Sequence, residues 1–166
     1  MIKKIKGFTL LELLITIGII ALLATVVFVA LSGTNTRARD AARLADLNPL
    51  GRYLQSVGQS IGNYLPSSLP TEGDLQVLID EAESQSGFNL FRQEPRDPAA
   101  QTGESGYRYI ISGGDIVIFA NLDNPETEVD LSFTEPTPAG GSGVFQGTGE
   151  WADGWNGTDK YYQVSN

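Results

Sequence analysis

The feature that most constrains this chain is an apolar run near its N-terminus that contains a single charged residue. The run covers residues 8–31, about 24 positions, and its only charge is Glu12. As a helix rising about 1.5 Å per residue it would be roughly 36 Å long, enough to cross the hydrocarbon core of a bilayer. A carboxylate inside such a segment is costly unless it has a partner, so Glu12 is a candidate functional residue.

Three lysines, Lys3, Lys4 and Lys6, precede the run. They predict that the N-terminus stays on the cytoplasmic side of the membrane. Hydropathy leaves three interpretations open, which are a cleaved secretory signal, a plain membrane anchor and a buried helix of a soluble protein. The run is longer than the about 7–15 apolar residues of a secretory signal, and no small-x-small cleavage site follows it. On hydropathy alone, the plain anchor fits best.

The rest of the chain is acidic and lacks the side chains of several catalytic chemistries. It contains no Cys and no His, which excludes disulfides, thiolate nucleophiles, Cys/His zinc sites and a Ser-His-Asp triad. From Phe8 onward, 8 basic residues face 20 acidic ones, a net charge of −12. Such a surface would repel nucleic acid, so we expect no direct contact with it. We find no group of residues that predicts an enzyme.

The junction between the lysines and the apolar run reads Lys-Gly-Phe-Thr-Leu-Leu-Glu, from Lys6 to Glu12. It resembles the class III leader of bacterial type IV pilins and type II secretion pseudopilins. This resemblance implies that a prepilin peptidase cuts after Gly7 and methylates the new N-terminal amine of Phe8. Glu12 would then be the fifth residue of the mature protein. The resemblance also implies a membrane platform protein and an assembly ATPase as partners.

The resemblance suggests a role for Glu12 in assembly. Cleavage creates an α-amino group on Phe8 that is largely protonated at neutral pH. In a helix, residues four apart lie on one face, so Glu12 could neutralise this amine in its own subunit or in the next one. An unpaired carboxylate in an apolar filament core is heavily penalised, so the pair would select the axial register.

Residues 36–47 predict an amphipathic continuation of the helix. Its apolar stripe is expected at threefold spacing, with charged residues off the stripe. The stripe consists of Ala38, Ala41, Leu44 and Leu47, and the charged residues off it are Arg37, Asp40 and Arg43. Pro49 predicts either a kink or a restart of the helix with Asn48 as its N-cap.

The remaining residues predict a head rich in β-structure. A short helix is expected over residues 73–83, and a hairpin over residues 107–122 that turns at Gly113-Gly114. Further strands are expected over residues 128–133 and 160–164, with an exposed loop between them at residues 136–149. We expect the aromatic side chains near the C-terminus to pack in the core or at a sheet edge, namely Trp151, Trp155, Tyr161 and Tyr162.

A second resemblance lies in the head, at Asp97-Pro98 and Tyr107-x-Tyr109. This pattern is similar to the start of the hairpin in the major pseudopilins and in similar Gram-positive pilins, although Ala99 and Ala100 replace the usual aromatic residue and glycine. Major pseudopilins bind calcium in a C-terminal loop. Here the oxygen ligands that calcium accepts would come from three residues of one turn, Asp153, Asn156 and Asp159. No other cofactor is expected.

We therefore expect an α+β protein with the type IV pilin fold, in which the apolar half of a long N-terminal helix protrudes and the other half packs on a small antiparallel sheet. The expected divisions are a leader (1–7), a transmembrane and filament-core helix (8–31), its amphipathic continuation (32–62) and the head (63–166). The chain would wait as a single-pass protein of the cytoplasmic membrane and then enter a cell-surface filament as a homopolymer. A secretion pseudopilin and a membrane-anchored extracytoplasmic binding domain remain as alternatives.

Overall fold

The computed structural model describes residues 8–57, 69–87, 91 and 93–166. The chain divides into two compact units, residues 1–35 and residues 36–166. The predicted leader and the predicted end of the long helix at residue 62 lie outside the described residues.

One helix, α1 (Leu10–Val57), accounts for 48 residues and belongs to both units. It starts immediately after Thr9 and runs through Pro49. Of the two alternatives that Pro49 predicted, the restart at Asn48 is therefore wrong. Asn48 does not begin a new helix, and its Oδ1 instead accepts a hydrogen bond of 2.6 Å from the Tyr162 hydroxyl.

The second unit contains a five-stranded antiparallel sheet in the order β1-β2-β3-β5-β4. Its strands are β1 (Glu72–Asp74), β2 (Arg108–Ser112), β3 (Asp115–Asn121), β4 (Gly143–Gln146) and β5 (Lys160–Ser165). A helix, α2 (Leu75–Ser86), follows β1, and a 3₁₀ helix (Gly149–Trp151) follows β4. The layout is that of an α+β protein and fits the pilin fold.

The predicted hairpin is confirmed as β2 and β3. Ser112 pairs with Asp115, and the two intervening residues, Gly113 and Gly114, have φ of 63° and 93°. A two-residue turn with positive φ at both positions matches the twist of the flanking strands, and glycine adopts it without strain.

The helix predicted over residues 73–83 is confirmed as α2, which begins two residues later than expected. Asp74 is its N-cap and accepts from the backbone N of Gln76 at 2.8 Å, while Gly87 ends the helix at φ 70°. Leu75 and Ile79 are buried in the core.

Two predictions for the C-terminal half of the head were wrong. Residues 128–133 form no strand, because the backbone N of Asp130 and of Leu131 both donate to one carbonyl, that of Val144. The Asp130 side chain also accepts from the Val144 N, so no regular ladder can continue. Conversely, β4 lies inside the predicted loop at residues 136–149, and its Val144 and Phe145 are buried.

The sheet has a hydrophobic layer on each face, since side chains alternate along a strand. The inner layer packs against α1 and α2, with Leu47, Leu54, Leu75 and Ile79 meeting Ile116, Ile118, Ala120 and Val164. The outer layer consists of Val117, Phe119, Phe145 and Tyr161, covered by Ile110, Leu131, Phe133 and Trp151. The expectation that the aromatic residues pack in the core is confirmed for Tyr161 and Tyr162, while Trp155 is 43% exposed.

Candidate processing and assembly site

The apolar helix begins with a reciprocal hydrogen-bond pattern between Thr9 and Glu12. The Glu12 backbone N donates to Thr9 Oγ1 at 3.2 Å, and the Thr9 backbone N donates to Glu12 Oε2 at 3.0 Å. The Thr9 hydroxyl also donates to the same Oε2, at 2.8 Å. This is a capping box, in which an N-cap threonine and a glutamate three positions later satisfy free N–H groups at the start of a helix.

The capping box places Phe8 just before the helix rather than on it. The assumption that Phe8 and Glu12 are helical neighbours four residues apart therefore does not hold in the chain as described, in which Glu12 bonds to Thr9. Phe8 is 77% exposed. Gly7, the predicted cleavage residue, lies outside the described residues. The Thr-x-x-Glu spacing is a sequence signal for this cap, which helical periodicity alone does not reveal.

The apolar side chains that follow Thr9 are exposed. Leu10 is 88% exposed, and large hydrophobic residues remain mostly exposed up to Leu31. By length and composition, the helix is long and apolar enough to cross a membrane. An uncovered apolar surface of this length is unfavourable in water, so the helix fits a membrane anchor.

In the second unit, α1 buries a charged cluster, which we call the Arg43 cluster. The Arg43 side chain is fully buried. Its Nε and Nη2 form a fork with Asp97, at 2.7 Å and 2.9 Å. Its Nη1 lies 2.6 Å from an oxygen of Asp40 and 2.9 Å from one of Asp123. Arg39 completes the cluster through an ion pair with Asp123.

The carboxylates of the Arg43 cluster also bind backbone N–H groups. Asp40 accepts from the N of Asp123 at 2.8 Å and from that of Asn124 at 2.9 Å, and Asp97 accepts from the N of Ala99 at 2.7 Å. Three segments are thereby joined, namely α1, the loop at Asp97 and the end of β3. A buried charge is tolerated when it is paired and its remaining donors and acceptors are satisfied, as they are here.

Burial alone would lower the pKa of Arg43. The hydrogen bonds and negative charge of Asp97, assisted by Asp40 and Asp123, outweigh this effect and raise the pKa above its ordinary value. Arg43 is therefore charged at physiological pH.

The predicted apolar stripe is confirmed for Leu44 and Leu47, which pack in the core, and is wrong for Ala38 and Ala41. Ala38 and Ala41 are exposed, whereas Asp40 and Arg43 lie on the buried face together with Leu47 and Leu54. These four residues follow a spacing of three, four and seven positions, which is helical. Hydrophobicity alone assigns charged residues to the solvent-facing side of a helix, and it therefore misplaces Asp40 and Arg43.

The residues of the hairpin pattern lie around the same part of α1. Asp97 binds Arg43, and the Tyr107 hydroxyl donates to Asp46 on α1 at 2.9 Å. The Tyr109 hydroxyl donates to the Pro70 carbonyl at 3.1 Å. Burial, followed by the hydrogen bond to Asp46, raises the pKa of Tyr107. The pattern therefore contributes to attaching the sheet and its loop to the helix.

The three candidate calcium ligands are held by different partners. Asn156 Nδ2 donates to the backbone oxygen of Asn121 at 2.7 Å. Asp159 accepts from Gln146 at 2.6 Å and lies 3.4 Å from the Lys160 ammonium. No bond links Asp153 to either of these two. In the described ranges, no three carboxylate, His or Cys side chains are grouped so as to hold a metal ion.

Comparison with known proteins gives one match. Residues 2–28 match the family model for the prokaryotic N-terminal methylation motif. No curated protein and no solved structure matches the chain. The matched residues include the Lys-Gly-Phe-Thr-Leu-Leu-Glu junction, the Thr9–Glu12 cap and most of the exposed apolar helix. The chain thus carries the N-terminal methylation motif, the class III prepilin leader of type IV pilins and pseudopilins.

Proposed function

We propose that this protein is a structural subunit of a type IV pilus or related filament and that it polymerises through its N-terminal helix. The observation that carries the proposal is that the methylation motif covers the start of a helix whose apolar side chains are exposed. In the membrane, lipid would cover these side chains, and in a filament the helices of neighbouring subunits would do so. The filament would serve adhesion, motility, DNA uptake or secretion.

In this proposal, processing changes the surroundings of Glu12. Removal of residues 1–7 leaves a charged, methylated amine on Phe8, one position before the Thr9 cap. Both bonds from Thr9 end on Oε2 of Glu12, so Oε1 can accept from this amine or from that of a neighbouring subunit. Because only one axial offset brings the opposite charges together, the pair would set the register of assembly.

The partners follow from this function. A prepilin peptidase would cut and methylate the N-terminus, and a platform protein with its ATPase would lift subunits out of the membrane. The head would lie outside the cytoplasmic membrane before assembly and on the surface of the filament afterwards. The role is structural, with no catalysis and no direct contact with nucleic acid.

A type II secretion pseudopilin is the second candidate. The observation in its favour is the Asp97-Pro98 and Tyr107-x-Tyr109 pattern, whose residues bind Arg43 and Asp46 on α1. A pseudopilin would form a short periplasmic structure instead of a long surface filament. Electron microscopy of cells, with immunolabelling of this chain, separates the two functions by where the labelled filament lies.

Intact-mass spectrometry of the protein from its native membrane tests the processing on which both candidates depend. We expect the mass of residues 8–166 plus one methyl group on the Phe8 amine. Retention of residues 1–7 would contradict a pilin-type function and favour a plain membrane-anchored binding domain. A Gly7→Leu variant is the control, because a large residue before the cut should leave the leader attached.

A further inference from the structure

The loop at residues 152–159, which we call the C-terminal loop, folds around one buried side chain, that of Asn121. Asn121 ends β3 and is fully buried. Its Nδ2 donates to the carbonyl oxygens of Thr158 and Lys160, at 3.0 Å and 2.9 Å. Its Oδ1 accepts from the backbone N of Asn156 at 2.6 Å. One amide thereby connects two positions of the C-terminal loop with the first residue of β5.

Two further contacts close the C-terminal loop over this amide. The Thr158 hydroxyl donates to the Leu122 carbonyl at 2.5 Å, which joins the loop to the end of β3. Gly154 lies so close to Asn121 that a Cβ at this position would be only 2.1 Å from Nδ2. The backbone can approach the amide this closely only because residue 154 is glycine.

The groups around Asn121 require a donor and an acceptor at the same time. The carbonyl oxygens of Thr158 and Lys160, which also accept from backbone N–H groups, each present a second lone pair to the amide, and the N–H of Asn156 requires an acceptor. A primary amide supplies both. A calcium ion would bind the two carbonyl oxygens but not the N–H, and a carboxylate would accept from the N–H but repel the carbonyl oxygens.

We propose that the Asn121 amide orders the C-terminal loop in place of a bound cation, so that the head folds without calcium. The resemblance to major pseudopilins implied a calcium ion in this loop. Here the inward carbonyl oxygens bind Asn121, and Asp159 is occupied by Gln146 and Lys160.

The C-terminal loop carries Trp155, whose ring lies 6.2 Å from that of Phe119 and 5.8 Å from that of Tyr161. Ordering the loop therefore completes the outer layer of the sheet. A filament built from such heads keeps its surface intact in calcium-poor surroundings. This consequence rests on the proposed function, whereas the folding of the head does not.

The first test measures thermal unfolding of the full-length protein in detergent by tryptophan fluorescence. Trp151 and Trp155 are the only tryptophans in the chain, and they lie in or beside the C-terminal loop, so the signal reports on it directly. We expect the same Tm in excess EDTA and in excess calcium. A higher Tm with calcium, the mass-action effect of a ligand that binds the folded state, would overturn the proposal.

The second test is Asn121→Asp, which removes the donor and places a carboxylate against two carbonyl oxygens. We expect Tm to fall by at least about 8 °C, because a buried carboxylate would face two carbonyl oxygens with no donor between them. The matched control is Gln101→Glu, which makes the same change from amide to carboxylate on an exposed side chain of the head. Water solvates a charge there, so Tm should stay within about 2 °C.

A wild-type Tm for Asn121→Asp would overturn the proposal. If this variant fails to fold, the comparison of EDTA with calcium on the wild-type chain still decides the matter. If the chain forms no filament at all, the proposed function is contradicted. The two Tm measurements would still test whether Asn121 orders the C-terminal loop without calcium.

Discussion

In residues 8–35 the apolar side chains are exposed, and the one charged residue, Glu12, lies at the start of the helix. In the described part of residues 36–166 most large apolar side chains are buried or half-buried, and Arg43 is buried among them. Arg43 finds its counter-ions inside the second unit, on Asp40, Asp97 and Asp123. Glu12 has only the neutral partner Thr9 among the described residues. A charge neutralised within its own unit serves folding, and one without a counter-ion is available to another subunit.

Arg43→Ala should have the largest effect on the head. The substitution leaves Asp40 and Asp97 without a cation and Asp123 with Arg39 alone, so we expect the free energy of unfolding to fall by about 3–5 kcal/mol. Urea unfolding followed by tryptophan fluorescence measures it. Arg37→Ala is the control, since Arg37 is exposed and should change stability by less than about 0.5 kcal/mol. Equal stability of the two variants would show that the Arg43 cluster does not hold the head together.

Two leucines of α1 allow a matched comparison between the units. Leu47 is fully buried in the head and Leu22 is 66% exposed. Leu47→Ala should destabilise the head by about 3 kcal/mol, while Leu22→Ala should leave urea unfolding of the head unchanged. A comparable decrease in the free energy of unfolding in both variants would mean that Leu22 also stabilises the head, which its exposure does not predict.

The buried tyrosines should give a smaller, pH-dependent effect. The pKa values of four tyrosines lie above the ordinary value, and burial is the main reason. They are Tyr107, Tyr109, Tyr161 and Tyr162. The folded head keeps them neutral where the unfolded chain ionises, so their contribution to stability is complete below about pH 10 and is lost as the pH rises further. Absorbance at alkaline pH should show that they ionise together with the loss of near-UV circular dichroism. Ionisation before that loss would contradict their burial.

The sequence predicted the parts of the fold that follow from local rules. A long apolar run gave α1, and two β-rich runs around Gly113-Gly114 gave the hairpin. The sequence also identified Glu12, because a lone carboxylate in an apolar run is unusual, and it identified Phe8 through the resemblance of the Gly7–Phe8 junction to a prepilin leader.

The rest depends on contacts between distant residues. The partners of Arg43 at Asp97 and Asp123 lie 54 and 80 positions away, so helical periodicity alone assigned Arg43 to the solvent face. β4 lies in a segment rich in Gly, Pro and Ser, and this composition predicts a loop. Asn121 reads as the polar end of a strand, and only the folded loop shows what it binds. Such roles are decided by donors and acceptors that the chain brings together after folding.

The central claim is that Glu12 acts between subunits and contributes nothing to the head. The most direct measurement is the amount of filament recovered from cells that express Glu12→Ala, at equal subunit levels in the membrane and with the Tm of the head recorded. The account predicts at least about a tenfold loss of filament, equivalent to about 1.4 kcal/mol, with an unchanged Tm, and no loss for the exposed acid in Glu126→Ala. Wild-type amounts of filament from Glu12→Ala would contradict it.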